Sequence, residues 1–199
     1  MKKIFISTSS FGELDKTPIE MLRKAGFEVS FNPHGRSLSE EEVVHLVSDA
    51  DGLIAGTEPL GSRTLSKLRS LKVISRCGAG LDNVDLGSAD RLKIKVFNTP
   101  DAPTMAVAEL TVALTLALLR RITIMDRDIR QGRWKKCMGA LLSGKKTGII
   151  GFGRIGRKVG ELFNALGARV SYADPNVPEP EGGVFKKVGL KNQIGRAHV

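Results

Sequence analysis

Residues 146–174 leave the chain little choice of local fold. Lys146-Thr147-Gly148-Ile149-Ile150 reads as a buried strand running straight into Gly151-Phe152-Gly153-Arg154-Ile155-Gly156, a turn that opens a helix carrying Val159, Leu162, Phe163 and Leu166. Gly167 stops that helix, Ala168-Arg169-Val170-Ser171-Tyr172-Ala173 forms the next strand, and Asp174 stands at its tip. Strand, glycine turn, helix and strand in this order specify one unit of a doubly wound parallel sheet. Gly151 permits the tight turn, Gly153 lets the backbone approach a diphosphate, and Gly156 lets helix close on strand. The helix N-terminus presents N–H groups and the positive end of its dipole to the phosphates, with Arg154 and Ile155 in its first turn. Asp174 lies 18 residues beyond Gly156, near the spacing of about 20 expected of the acid that binds the adenosine ribose hydroxyls. An acid there repels a 2′-phosphate, and Pro175-Asn176-Val177 supplies no arginine to accept one, so NAD is favoured over NADP. FAD and other adenosine ligands use similar turns, so the fingerprint predicts a dinucleotide without settling the chemistry.

The first hundred residues alternate strand and helix signals. Residues 3–8 form a short apolar strand, Pro18 stands at a first helical position, and Ile19, Leu22 and Ala25 recur with helical period before Gly26. Residues 27–31 alternate as a strand, and Ser39 with Glu42 forms a capping box for a helix through Val43, Val44, Leu46 and Val47. Residues 52–56, 71–75 and 94–97 read as further strands, separated by helix-compatible stretches at 65–71 and 84–92. This predicts a second parallel sheet, with ligands beyond the carboxyl ends of its strands. At one such end lies Arg76-Cys77-Gly78-Ala79-Gly80-Leu81-Asp82-Asn83-Val84-Asp85, whose glycines permit a concavity of N–H groups suited to a carboxylate or phosphate. An ordinary tight turn, with Asp82 or Asp85 capping the next helix, accounts for the same residues. Asn98-Thr99-Pro100 punctuates the chain as a hinge candidate. The following stretch, residues 106–119, is apolar nearly all round, which predicts a helix buried between domains or subunits. Glu109 within it reads either as a functional carboxylate or as a buried acid paired with a base.

Charge does not redirect this reading. Of 31 Lys/Arg and 21 Asp/Glu, residues 1–99 hold 14 and 13, and residues 100–199 hold 17 and 8, so nearly all of the net charge of +10 sits in the second half. Twelve basic residues between Leu119 and Lys158 could steer an anionic ligand, or form a solvated or subunit-contacting face. No zinc-finger spacing, RRM signature or set of stacking aromatics accompanies them, so no nucleic-acid partner is expected. The longest uncharged apolar stretch, residues 110–119, is 10 residues, whereas a bilayer span needs about 20. With no secretory leader either, no membrane partner and a cytoplasmic location are expected. Cys77 and Cys137 form no CxxC pair, and no metal site is expected.

Four ordered segments, Arg76 to Asp85, Asn98-Thr99-Pro100, Val107-Ala108-Glu109-Leu110-Thr111 and Gly151 to Gly156, resemble the successive signatures of the D-isomer-specific 2-hydroxyacid dehydrogenases. The opening and the Arg76 loop resemble the phosphoglycerate dehydrogenase branch. The resemblance implies an α/β fold: a flavodoxin-like substrate domain at residues 1–99, followed at 100–193 by the first half of a Rossmann NAD-binding domain. It implies that N–H groups at Ala79 and Gly80 hold the carboxylate of a 2-hydroxy or 2-keto acid, that Arg154 and Ile155 meet the diphosphate of NAD, and that Asp174 takes its ribose. Family members commonly form homodimers through the coenzyme domain. In that family, hydride passes between C2 of the acid and the nicotinamide, aided by an arginine and by a histidine paired with a glutamate, all in the later part of that domain. None of those catalytic residues can be assigned here, and His34 and His45 stand at no matching motif.

The last residues, Ile194-Gly195-Arg196-Ala197-His198-Val199, correspond to the codons ATC GGA AGA GCA CAC GTC, a sequencing-library adapter string, and residues 194–199 are expected to be an assembly scar on a truncated reading frame. A real short terminus is the alternative. The 199-residue chain alone is expected to be inactive. Two functions are carried forward: an NAD-dependent D-2-hydroxyacid dehydrogenase, with 3-phosphoglycerate the leading substrate and glyoxylate or hydroxypyruvate behind it, or a noncatalytic NAD-sensing interaction protein of corepressor type.

Overall fold

Nine elements alternate without interruption through the first half of the chain. They are β1 (Lys3–Ile6), α1 (Thr17–Lys24), β2 (Glu28–Phe31), α2 (Glu40–Val47), β3 (Gly52–Ala55), α3 (Ser62–Leu65), β4 (Val73–Arg76), α4 (Leu86–Arg91) and β5 (Lys95–Asn98). The computed structural model describes residues 1–179 and 183–195, and divides into two units, Met1–Ala102 and the chain from Pro103 onward.

In the first unit all five strands are parallel, in the order β2-β1-β3-β4-β5. The order reverses between β1 and β3, and a doubly wound sheet binds its ligands beyond the carboxyl ends of strands near such a point. One sheet face carries the larger core cluster, where Phe5, Leu53, Ala55 and Ile74 from the strands meet Val43, Val47, Leu65 and Ala89 from the helices, while Ile4 and Ile6 are buried on the other. Residues 65–71 are not the helix their composition suggests. α3 ends at Leu65, and bonds from Leu68 N–H to Leu65 and from Leu71 N–H to Leu68 carry the chain on in tight three-residue turns that still bury all three leucines.

The capping box of α2 is present in both directions: the Ser39 hydroxyl accepts from Glu42 N–H, and the Glu42 carboxylate accepts from Ser39 N–H. The Arg36 guanidinium, reinforced by that N–H, holds the Glu42 carboxyl at about 2 rather than 4.5. A carboxyl lowered on folding stabilises the fold above its free value, so this contribution is complete above pH 4.5 and is lost as the pH falls toward 2. Ser39→Ala is expected to cost about 1 kcal/mol, read as a lowered urea midpoint at neutral pH.

The second unit contains α5 (Pro103–Leu119), α6 (Ile122–Arg130), β6 (Lys146–Ile150), α7 (Arg154–Ala165), β7 (Arg169–Ala173), β8 (Lys186–Lys187) and α8 (Leu190–Gly195). The expectation of two strands here is corrected to three, parallel in the order β6-β7-β8. Two consecutive lysines carry no strand signal of their own; β8 exists because β7 offers it an edge to pair with. α8 is fastened by Gln193, whose amide donates to the Ser171 carbonyl at 3.0 Å and accepts from its hydroxyl at 3.0 Å. Of the proposed scar, residues 196–199 lie outside the described residues.

Within its own unit α5 buries one face. Only Ala108 is fully buried; Val112, Leu116 and Leu119 continue its stripe against Val159 and Phe163 of α7, while Met105, Val107, Leu110, Leu114 and Leu118 are exposed. An all-apolar helix satisfies one packing face within this unit and leaves the other bare. Glu109 lies exposed rather than buried against a base. Among the described residues, no helix is long and apolar enough to cross a membrane.

Candidate functional site

Chemistry-bearing residues gather at two places, one in each unit. In the second unit, β6 delivers Gly151 with φ +88°, a left-handed conformation that glycine alone adopts without strain, and Gly151 N–H donates to the Ala173 carbonyl at 2.9 Å. α7 starts at Arg154, with Gly153 as its N-cap and no side chain capping it, so the N–H groups of its first turn are directed out of the helix end. A methyl group built on Gly156 would lie 2.1 Å from the Gly151 carbonyl oxygen, whereas one built on Gly153 would have nothing within 4 Å. The two glycines therefore serve different ends: Gly156 is needed by the fold, and Gly153 faces open space of the kind a diphosphate would fill. Arg154 is exposed, and Ile155 packs partly against the core of its unit.

Asp174 follows β7 directly. Its Oδ2 accepts from Phe152 N–H at 2.6 Å, and its Oδ1 accepts from Asn176 N–H at 2.8 Å and Val177 N–H at 3.1 Å. Those bonds, that from Phe152 foremost and Asn176 next, hold its carboxyl below the usual carboxylate range. A carboxylate has about four lone-pair directions, so Asp174 is anchored to the turn and keeps capacity for a ligand hydroxyl. The sequence reading passes over Phe152, which is 5% exposed and stacks on Tyr172 with ring centroids 3.9 Å apart. Two aromatics 20 residues apart give no local signal of that contact.

In the first unit, the loop after β4 hangs from both sides. Gly78 N–H donates to the Thr99 hydroxyl at 2.9 Å, Thr99 N–H returns to the Gly78 carbonyl at 3.1 Å, and the Asn98 amide donates to the Ala79 carbonyl at 2.7 Å. Among the described residues, no carbonyl or side chain accepts from the N–H groups of Ala79 and Gly80. Asn98 and Thr99, read from sequence as part of a hinge, are thus also the posts that shape this loop. Asp85 caps α4 through Ser88 N–H at 2.8 Å, which settles the choice between Asp82 and Asp85. Arg76 is half-buried beside the loop and donates to the Cys77 carbonyl at 2.7 Å. Lys72 precedes β4 and pairs with Asp51 at 2.7 Å, at the opposite end of the strand from the loop.

His34 lies 3.7 Å from Glu42 and His45 is exposed in the last turn of α2; neither joins a cluster with nucleophile or metal geometry. Both cysteines are free, Cys77 exposed and Cys137 half-buried. Among the described residues, no group of three His, Cys, Asp or Glu could hold a metal ion.

The arrangement matches known proteins along nearly its whole length. D-3-phosphoglycerate dehydrogenase of Sus scrofa is 36% identical over 178 residues, covering 88% of this chain and 32% of the relative, so the chain spans about a third of that protein's length. Among solved structures, TT0316 protein from Thermus thermophilus superposes with a TM-score of 0.81 at 30% identity, over 96% of this chain and 61% of that one. The NAD+-bound 3-phosphoglycerate dehydrogenase of Entamoeba histolytica superposes with a TM-score of 0.73 at 28% identity, over 94% and 57%. The family model described as D-isomer specific 2-hydroxyacid dehydrogenase, catalytic domain, matches residues 6–175, from the end of β1 to just past Asp174. With both candidate sites inside that span, the chain belongs to the D-isomer-specific 2-hydroxyacid dehydrogenase family.

Proposed function

We propose that this chain binds NAD at the turn formed by Gly151, Gly153, Arg154, Ile155 and Gly156 with Asp174 beside it, and binds the carboxylate of a 2-hydroxy or 2-keto acid at the N–H groups of Ala79 and Gly80. The activity it serves is NAD-dependent oxidation and reduction at the CH–OH carbon of a D-2-hydroxy acid. One observation carries the reading: an uncapped helix end, open space over Gly153 and an anchored carboxylate at the next strand converge on one turn. Bound NAD supplies the hydride acceptor or donor. This chain's residues bind and orient it: the first turn of α7 faces the diphosphate with N–H groups and a positive dipole end, and Asp174 accepts from the ribose hydroxyls while disfavouring a 2′-phosphate.

For the acid, 3-phosphoglycerate leads, in line with the name of the Sus scrofa relative. Arg76 is a cation beside the loop that a second anionic group could meet, whereas Lys72 is committed to Asp51 at the far end of β4. Glyoxylate or hydroxypyruvate stands next if that cation serves only the loop. The exposed apolar stripe of α5, Leu110, Leu114 and Leu118, fits a second copy of the chain, so a cytoplasmic homodimer completes the proposal.

Calorimetric titration of the chain with NAD and NADP tests it. NAD is expected to bind, with NADP about tenfold weaker or more, and Asp174→Asn is expected to lower NAD affinity about tenfold while narrowing the difference between the two cofactors. Equal affinity for both cofactors, or an Asp174→Asn variant that binds as the parent does, would sink the cofactor assignment.

A further inference from the structure

Glu58 is the one acid among the described residues whose side chain is buried, at 1% exposed. Its carboxylate accepts from the Ser7 hydroxyl and from Gly56 N–H, the latter 3.2 Å from Oε1 and 3.1 Å from Oε2. A carboxylate out of water is costly unless its oxygens are satisfied by donors fixed in place. Here those donors sit at the carboxyl ends of β1 and β3. The Ser7 hydroxyl also reaches the Ile54 carbonyl at 3.0 Å, and the Ser7 carbonyl accepts from the Asn32 amide, just past β2, at 2.8 Å. The fit at Gly56 is close: a methyl group on it would lie 3.1 Å from Glu58 Oε2 and 3.1 Å from Thr8 Cβ.

The same segment grips the loop after β4. The Asn83 amide donates to the carbonyls of Glu58 at 2.8 Å and Gly56 at 3.3 Å, Leu60 N–H donates to the Asn83 carbonyl at 2.7 Å, and Asp85 N–H donates to the Leu60 carbonyl at 3.0 Å. Asn83 stands three residues past Gly80. The loop is therefore held at one end by Asn98 and Thr99, and at the other by Asn83 on the segment that Glu58 fixes.

We propose that Glu58 is a positioning residue for the acid-binding loop: by locking Gly56 and Ser7 it fixes the rail to which Asn83 is clamped, and so sets the aim of the Ala79 and Gly80 N–H groups. The proposal rests on the reading of that loop as the carboxylate site. A glutamate suits the task because two acceptor oxygens can meet a hydroxyl and a backbone N–H together. A leucine of similar volume fills the space but removes the acceptor that ties the two donors to residue 58, leaving the Ser7 hydroxyl its bond to the Ile54 carbonyl and Gly56 N–H its 3.2 Å contact with the Ser7 oxygen, while a glutamine can accept from Gly56 and donate to Ser7.

The test is a titration of the isotopically labelled full chain with D-glycerate, in the presence of NAD, following the Ala79 and Gly80 amide resonances. In the parent both resonances shift and saturate. Glu58→Leu raises the dissociation constant for D-glycerate about tenfold or more and leaves that for NAD unchanged, whereas Glu58→Gln stays within about threefold of the parent. A folded Glu58→Leu variant that binds D-glycerate like the parent overturns the proposal alone. Resonances that do not move in the parent overturn the carboxylate-loop reading and the proposal with it. Where Glu58→Leu does not fold, Ser7→Ala decides: a dissociation constant raised about threefold or more supports the proposal, and an unchanged one overturns it.

Discussion

Gly156→Ala is expected to destabilise the second unit by about 3 kcal/mol, the upper end of ordinary overpacking costs, and to abolish NAD binding. The added carbon would lie 2.1 Å from the Gly151 oxygen and 3.1 Å from its carbonyl carbon, which are backbone atoms with no rotamer to retreat to. Gly151 cannot step aside freely either, because its N–H bonds to Ala173 and ties the turn to β7. Relief must come from lifting α7 off β6, which separates the helix end from the turn it crowns. Gly153→Ala is the control. With φ at −72° and nothing within 4 Å of the new methyl group, it suits an L-residue in the folded chain. Its stability cost is expected to be about 1 kcal/mol or less, that of a poorer N-cap. NAD affinity nevertheless falls about tenfold or more, because the methyl group stands where the diphosphate approaches. Urea midpoints and NAD titrations of the two variants separate the roles. A Gly153→Ala variant that binds NAD normally would show that no diphosphate lies against that residue, and a Gly156→Ala variant of unchanged stability would contradict the packing.

What could be seen from sequence was what local rules encode. The capping box of α2, the stop at Gly167 and the strand, turn and helix around Gly151 each lie within a few residues, and each is observed. Features set by distant partners were invisible. β8 is two lysines given strand form by β7, and an apolar helix such as α5 reads alike whether its second face meets its own unit or another surface. Arg76 opens the loop in the sequence itself, but that Lys72 is taken up by Asp51 is set by the pairing of β3 with β4. Glu58 belongs to no recognisable spacing. Its significance comes from Ser7, 51 positions away in the chain, and from Asn83, 25 positions away. The glycine turn proposed for the cofactor is thus written in neighbouring residues, whereas the loop proposed for the acid is assembled from four strand ends that only the parallel sheet brings together.

Tyr172→Ala is expected to cost about 3–5 kcal/mol, as truncation of a buried aromatic does, and to remove NAD binding although no atom of Tyr172 need touch the cofactor. Tyr172 is fully buried, its ring lies nearly parallel to that of Phe152 at 13°, and its hydroxyl donates to the Pro178 carbonyl at 2.9 Å. Phe152 is the residue between the first two glycines of the turn, and its N–H donates to Asp174. The stack therefore fixes the backbone that in turn orients the Asp174 carboxylate, proposed to take the ribose. Removing the ring lets Phe152 drop into the space and draws its N–H away from Asp174. Tyr172→Phe keeps the stack and loses only the bond to Pro178, so its expected cost is about 1 kcal/mol with NAD affinity retained. Thermal unfolding and NAD titration of both variants decide the matter. A Tyr172→Ala chain that still folds and binds NAD as the parent does would mean that the turn holds its shape without the aromatic floor, through the Gly151 bond to Ala173 and the Asp174 bonds to Asn176 and Val177 alone.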